Sequence, residues 1–354
     1  MNLASLLETW GDTQVLAAAG ALVGLLFGLT AQRTRFCTRA AVIESCQGQL
    51  GSRFAVWWLG FSACLLAVQS LVMLGGLQPQ TSRFIAPIGS ISGAVMGGLL
   101  FGAGMIMTRG CAGRLLILSA NGNLRAAIAA LVFAVTVQAS IAGWLAPVRQ
   151  AMVSWWQIDG GPGRDLLQIT GIGHMGGILL AALAFTSGLY FFLKTHPQRL
   201  ALGLGSIAVG LTVAAGWGLT QAIAGQSFEA VQIQSISFSS ATAEFLMRIL
   251  STGTAPRFGF DAGLLPATLL GSLAGALLGR EFKWESFQAE NKLGHYLTGA
   301  VLMGLGAVMA GGCTVGAGMA GGSVFSLTAW LTLLAIWLGA GMAWRVHQRM
   351  GWPV

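Results

Sequence analysis

The hydrophobic positions of this chain form nine long apolar runs, separated by short polar or glycine-rich segments. A membrane-spanning helix needs about 20 such residues. The predicted spans are residues 14–32, 53–77, 87–108, 125–147, 172–194, 200–224, 261–280, 294–311 and 324–345. The pattern therefore predicts an all-α polytopic membrane protein with a single integral membrane domain over residues 1–354.

Four segments between the runs are too apolar or glycine-rich for ordinary loops and too short to cross a bilayer. They cover residues 33–50, 109–122, 228–252 and 312–323. Backbone outside a continuous helix is tolerated at membrane depth only where protein buries it or water reaches it. We therefore expect four re-entrant segments, built as loops or short helices at or near membrane depth.

Composition narrows the class of function. Of the 354 residues, 55% are apolar and 8% are charged, whereas soluble domains carry about a quarter charged residues. This leaves no room for a soluble catalytic domain, so we do not expect an enzyme. The net charge of +8 does not indicate nucleic acid, because the basic residues form no dense run.

The basic residues instead indicate orientation. With alternating spans, fourteen Lys and Arg residues fall on one side of the membrane and five on the other. The richer side is expected to be cytoplasmic, which places the N-terminus in the periplasm and the C-terminus in the cytoplasm. Segments 33–50 and 109–122 then enter from the cytoplasmic face, and segments 228–252 and 312–323 enter from the external face.

This arrangement predicts an inverted repeat. Residues 1–150 (spans 1–4) form the first half-repeat, residues 151–199 form a connecting loop and span 5, and residues 200–354 (spans 6–9) form the second. Gly110-Cys111 and Gly311-Gly312-Cys313 end corresponding spans, and the sequence around Cys37 resembles residues 236–244 with serine in place of the thiol. Inverted repeats with broken segments are typical of transporters.

Three of the four segments contain a cysteine: Cys37, Cys111 or Cys313. No C-x-x-C pair is present, which disfavours a zinc site or a thioredoxin-type redox site. A soft-metal permease and a membrane thiol oxidoreductase stay open as alternatives. A metal site would need a carboxylate or histidine beside Cys111 and Cys313, and the sequence has none there. An oxidoreductase would need a closely spaced thiol pair, which the sequence also lacks. We expect no cofactor and no bound metal.

A small anion fits the three thiols better. Helix N-termini and glycine-rich backbone direct N–H groups at anions, and a protonated thiol adds a weak donor. The supporting candidates are Gly110, Gly311, Gly312, Thr314, Gly316, Gly318, Arg35, Arg39, Arg109, Arg114, Ser239, Glu44 and Glu244. The arginines are also explained as plain topological anchors, and the two glutamates as structural partners of Arg39 and Arg248.

These motifs resemble the YeeE/YedE family of bacterial inner-membrane proteins. The resemblance rests on Arg35-Phe-Cys37, on Gly110-Cys111 and on the stretch from Gly311 to Gly318. It implies an hourglass of nine spans with short loops entering from both faces. It also implies thiosulfate uptake, with Cys37, Cys111 and Cys313 passing the anion along through S–H···S contacts.

Some members of that family are associated with selenium metabolism, so another sulfur or selenium species stays an alternative substrate. The second motif departs from the expected Gly-Gly-Cys, because Arg109 precedes Gly110 and Arg114 follows Cys111 closely. The short sequence after span 9 leaves no room for a fused sulfur-carrier domain of the TusA type. A separate TusA-like carrier on the cytoplasmic side is therefore the expected protein partner, alongside the lipid bilayer.

Overall fold

The computed structural model of the protein describes residues 4–227, 229–250, 259–285 and 293–351. Within these ranges the α-helices, in chain order, are α1 (Ala4–Trp10), α2 (Asp12–Thr34), α3 (Thr38–Cys46), α4 (Ser52–Met73), α5 (Ile91–Met107), α6 (Ala112–Ala120), α7 (Leu124–Ala142), α8 (Ala146–Val153), α9 (Leu166–Ile169), α10 (Gly173–Thr195), α11 (Leu200–Ala224), α12 (Phe238–Leu250), α13 (Phe260–Leu278), α14 (Leu293–Met309) and α15 (Leu327–Arg349). A π-helix covers Thr314–Gly321, and 3₁₀ turns cover Pro79–Thr81 and Pro162–Arg164. Two short strands, β1 (Gly89–Ser90) and β2 (Gln157–Ile158), pair antiparallel.

The described residues contain nine candidate spans that are long and apolar enough to cross a membrane. They are built on α2, α4, α5, α7, α10, α11, α13, α14 and α15, and the first, third and eighth spans continue into α3, α6 and the π-helix. Each overlaps one of the nine predicted spans. The prediction of an all-α polytopic membrane protein is therefore confirmed.

Glycines allow the spans to approach closely. Helices α2 and α13 run in the same direction, because Gly20, Gly24 and Gly28 lie in order against Phe260, Leu264 and Thr268. A methyl group at Gly28 would lie 2.8 Å from the Ser272 nitrogen and closer still to the Thr268 carbonyl oxygen. Small residues at such positions bring two backbones into contact, as is common between membrane helices.

The helix pairs occur in two matching sets. The contact of α2 with α13 corresponds to the contact of α11 with α4. The contact of α5 with α15 corresponds in the same way to the contact of α14 with α7. The short helices follow the same correspondence: α3 contacts α4 as α12 contacts α13, and α6 contacts α7 as the π-helix contacts α15. Helices α5 and α14, which correspond in the two sets, run in opposite directions, since Gly93 lies beside Met309 and Gly104 beside Gly299. An inverted repeat requires these relations, and the repeat and its boundaries stay a prediction.

The segment between α8 and α10 is fixed to two neighbouring loops. The Gly161 N–H donates to the Ile85 carbonyl at 2.8 Å, and the Leu166 N–H donates to the Phe325 carbonyl at 3.0 Å. Asp165 forms an isolated bridge with Ser326. These bonds hold the segment over one end of α5 and over the start of α15.

Candidate functional site

Each of three cysteines stands immediately before a short helix. Cys37 precedes α3, Cys111 precedes α6, and Cys313 precedes the π-helix, each with extended backbone. The first N–H groups of a helix lack partners within the helix and carry partial positive charge. The three thiols therefore occupy equivalent positions, each beside the positive end of its own helix dipole.

The chain breaks in the same way before each cysteine. The residue two positions upstream has a left-handed backbone, with φ of 52° at Arg35, 57° at Arg109 and 75° at Gly311. This conformation is uncommon for residues other than glycine. It ends the preceding span within a single residue, so that the next residues can start a new helix in a different direction.

The fourth short helix, α12, begins at Phe238 and has Ser237 immediately before it. The predicted residue, Ser239, lies inside the first turn, with its hydroxyl 3.1 Å from that of Ser237. Ser237 is therefore the positional equivalent of the three cysteines. A signal for it was present in the sequence, because Ser237 stands seven residues before Glu244 just as Cys37 stands seven before Glu44.

The starts of these four short helices meet inside the bundle. The Cys37 and Cys111 side chains lie close enough to interact, and Cys111 also lies near the Thr314 side chain. A methyl group at Gly316 would lie 2.6 Å from the Ser237 hydroxyl. The π-helix and α12 are therefore in contact beside the two neighbouring thiols.

Access to the thiols differs. Cys111 and Cys313 are 4% and 0% exposed, whereas Cys37 is half-buried and lines a cavity of about 400 Å³. We name this space the Cys37 cavity. Its charged lining residues are Arg35, Arg39, Arg53, Arg109, Arg114, Lys283, Glu281 and Glu285. Six cations and two carboxylates give the cavity a net positive lining.

Most of these cations form no ion pair with a carboxylate of the described residues. Arg35 forms an ion pair of 2.9 Å with Glu281, on the exposed rim. Arg114 donates to the neutral Gln32 amide at 3.4 Å, and Arg109 lies 5.8 Å from the centre of the Tyr296 ring. Among the described residues, Arg39, Arg109 and Arg114 form no ion pair with a carboxylate.

The same chain matches known proteins over nearly all of its length. Residues 33–342 match the family described as Sulphur transport. The chain belongs to this family, which is the YeeE/YedE family. It is 26% identical to "Thiosulfate transporter TsuA" of Spirochaeta thermophila, over 93% of this chain and 99% of that protein. It is 24% identical to "Thiosulfate transporter TsuA" of Escherichia coli, over 94% of this chain and 95% of that one. With its nine apolar helices, the chain is a multi-pass membrane transport protein and not an enzyme.

In this member of the sulphur transport family, the two predicted glutamates form contacts away from the three thiols. Glu44 accepts hydrogen bonds from the backbone N–H groups of Arg53 and Phe54, both at 2.9 Å, and so caps α4. Glu244 forms an ion pair of 3.0 Å with Arg248. Both contacts are structural.

The predicted glycines differ in the space around them. The Thr108 hydroxyl donates to the Gly110 carbonyl at 2.9 Å. A methyl group would lie 2.6 Å from the Ala317 nitrogen at Gly312 and 3.2 Å from Leu333 at Gly318. Gly311 has open space around it but requires its positive φ.

The other two cysteines lie outside the meeting point of the short helices. Cys64 is fully buried in α4, with its sulfur 3.8 Å from the Met319 carbonyl. Cys46, at the end of α3, lies beside Gly341 of α15. Within the described ranges, no group of three His, Cys, Asp or Glu side chains is arranged to bind a metal.

A second cavity lies at the opposite end of α5 from the Cys37 cavity. It has a volume of about 310 Å³, and its polar or charged lining residues are Arg83, Ser90, Gln157, Arg164, Gln232 and Thr328. We name it the Arg164 cavity. Gly311, two residues before Cys313, also lines it. Sequence reasoning missed this cavity because its parts come from segments far apart in the chain.

Proposed function

We propose that this protein takes up thiosulfate across the bacterial inner membrane along a path formed by Cys313, Cys111 and Cys37. The observation that carries the proposal is the meeting of the short-helix starts, where the Cys37 and Cys111 side chains are neighbours and Cys111 lies near Thr314. The three thiols occupy equivalent positions at helix starts, and two of them are neighbours. Together they provide consecutive sites for a sulfur anion.

The chemistry of the path suits an anion that must keep moving. Helix starts favour negative charge, and a neutral S–H donates only weakly. Conduction requires binding strong enough for entry and weak enough for release, distributed over several sites. Protonated thiols meet that requirement, whereas a thiolate would repel the substrate.

The direction of transport follows from the charges. We propose that the Cys37 cavity opens to the cytoplasm, with the N-terminus in the periplasm, and that the two matching sets of helices form an inverted repeat. The positive lining of the Cys37 cavity would draw the anion from the buried thiols toward the cytoplasm. A TusA-like carrier that accepts sulfur would meet the substrate there.

The named relatives support thiosulfate as the substrate. Two proteins called thiosulfate transporters align with 93% and 94% of this chain, at 26% and 24% identity. The elements that hold the thiols lie within the matched part of the sulphur transport family, residues 33–342.

The test is growth and uptake in a strain that lacks its other thiosulfate uptake systems. The wild-type chain should support growth on thiosulfate as sole sulfur source and should accumulate ³⁵S-thiosulfate. Cys111→Ala and Cys313→Ala should abolish both, while Cys64→Ala, which removes a buried thiol outside the path, should retain them. Normal growth of both path variants would disprove the thiol path, and absence of uptake by wild type would disprove thiosulfate as substrate.

A further inference from the structure

Arg164 is a buried cation beside a cavity. Its side chain is 5% exposed. One terminal nitrogen donates to the Thr328 hydroxyl at 2.7 Å, and the other donates to the Pro87 carbonyl. The Nε atom has no partner among the described residues. None of the residues that line the Arg164 cavity is acidic.

The nearest acidic residue in the chain does not neutralise Arg164. The carboxylate of Asp165 accepts hydrogen bonds from the Leu167 N–H at 3.0 Å and from the Gln80 amide at 3.1 Å. Burial lowers the pKa of Arg164, and no carboxylate offsets that effect. A guanidinium nevertheless stays protonated in proteins. A buried charge without a counter-ion is unfavourable, so an anion in the cavity would stabilise this arrangement.

A second arginine lines the same cavity. Arg83 is half-buried and donates to the Gln234 amide at 3.1 Å and to the Ser240 hydroxyl at 3.4 Å, both of them neutral. The buried carboxylate of Asp261 also lies close enough to Arg83 to interact with it, but it does not line the cavity. Two guanidinium groups therefore border a space without any carboxylate.

Backbone contacts hold the cavity in shape, and its wall includes a residue close in sequence to Cys313. The β1–β2 pairing and the bond from Gly161 to Ile85 fix the loop of Arg164 against the loop of Arg83. At about 310 Å³ the space is in the size range of small-molecule sites. Its wall includes Gly311, two residues before Cys313.

We propose that the Arg164 cavity is an anion-binding site for the oxygen-bearing end of a sulfur oxoanion, with Arg164 as its anchor and Arg83 as its second cation. Guanidinium groups bind such oxygens through paired N–H donors, and a dianion balances two arginines. The role of the site in uptake rests on the function proposed above. Its binding of the anion does not, because sulfate carries the same oxygens without the terminal sulfur that a thiol path would use.

The direct test is calorimetric titration of the purified full-length protein in detergent with sodium thiosulfate and with sodium sulfate. Both should bind to wild type, and Arg164→Gln should weaken both by at least about tenfold, as expected for loss of a charged hydrogen-bonding group. Arg164→Lys should restore part of the loss. The matched control is Arg149→Gln, which removes a half-buried arginine on α8 outside the cavity lining and should bind as wild type does.

Further variants separate binding from folding. Arg83→Gln leaves the Arg164 contacts intact and should weaken binding of both anions at least about threefold. Unchanged affinity in both Arg164→Gln and Arg83→Gln, or no saturable binding to wild type, overturns the proposal.

Uptake kinetics distinguish this proposal from the proposed function. If wild type transports thiosulfate and both arginine variants keep its KM, the anion site is wrong and the transport function stands. If wild type transports no thiosulfate but binds sulfate in a manner that depends on Arg164, the transport function is wrong and the anion site stands.

Discussion

The sulfur of Cys313 accepts a hydrogen bond from the backbone N–H of Gly316 at 3.4 Å. The thiol thus occupies the capping position at which Ser, Thr, Asp and Asn are preferred. Sulfur is only a weak acceptor, so the helix gains less from this cap than it would from serine. A cysteine at this position therefore provides sulfur for the function at the expense of helix stability.

Cys313→Ser should separate these two properties. Serine caps the helix at least as well, so the thermal unfolding temperature in detergent should be maintained or rise slightly. Uptake of ³⁵S-thiosulfate should fall by about tenfold or more, equivalent to about 1.4 kcal/mol, because a hydroxyl lacks the polarisable contact of sulfur. Cys46→Ser is the control and should keep wild-type uptake. A serine variant that transports as wild type does would show that sulfur is not needed at this position.

Gly316→Ala should disturb the contact between the π-helix and α12. The added methyl group would lie 2.6 Å from the Ser237 hydroxyl. Overpacking of this kind costs about 1–3 kcal/mol, so both the unfolding temperature and uptake should decrease. Gly294→Ala has nothing within 4 Å and should behave as wild type does. Removing the hydroxyl in a Gly316→Ala/Ser237→Ala double variant should recover part of the loss, and no recovery would argue against the contact.

Gly28→Ala should weaken the packing of α2 on α13. Its methyl group would meet the Thr268 carbonyl and the Ser272 nitrogen of the α13 backbone, which cannot move aside as a flexible side chain can. We expect a loss of about 1–3 kcal/mol in stability, measured by thermal unfolding in detergent. The matched change Gly218→Ala in α11 meets only the end of Leu71 at 3.6 Å. It should be neutral or stabilise slightly, and equal losses in both variants would contradict this explanation.

Arg114→Gln should reduce thiosulfate uptake without unfolding the protein. Arg114 lines the Cys37 cavity and donates a hydrogen bond to the neutral Gln32 amide. Loss of its charge should lower the initial uptake rate by at least about threefold, as for the loss of a charged hydrogen-bonding group. Arg345→Gln, on an exposed turn of α15, should leave the rate unchanged. An unaltered rate in Arg114→Gln would show that this arginine acts only as a topological anchor.

Glu44→Ala should affect stability more than transport. Glu44 caps α4 through two backbone N–H groups, and loss of such a cap costs about 0.5–2 kcal/mol. The unfolding temperature should therefore fall, while uptake per folded molecule stays near that of wild type. Glu8→Ala, which removes an exposed carboxylate on α1, is the control for the charge change. A selective loss of uptake at full stability would instead give Glu44 a role in transport.

The sequence by itself determined the membrane class, the nine spans and the three cysteines that follow broken spans. These features are local. The length of an apolar run is matched to bilayer thickness, and glycine-rich breaks such as the one at Gly311 interrupt a helix wherever they occur. For the same reason the four unusual segments were recognisable from their composition, before any packing was known.

Only the tertiary structure decided which side chains meet. Three features join parts of the chain far apart in sequence: the proximity of Cys37 and Cys111, the ion pair between Arg35 and Glu281, and the cavity lined by both Arg164 and Gly311. Such contacts depend on how closely spans such as α2 and α13 approach one another. Spaced glycines such as Gly20, Gly24 and Gly28 permit a close approach, but the choice of the partner helix is set by packing contacts across the whole bundle.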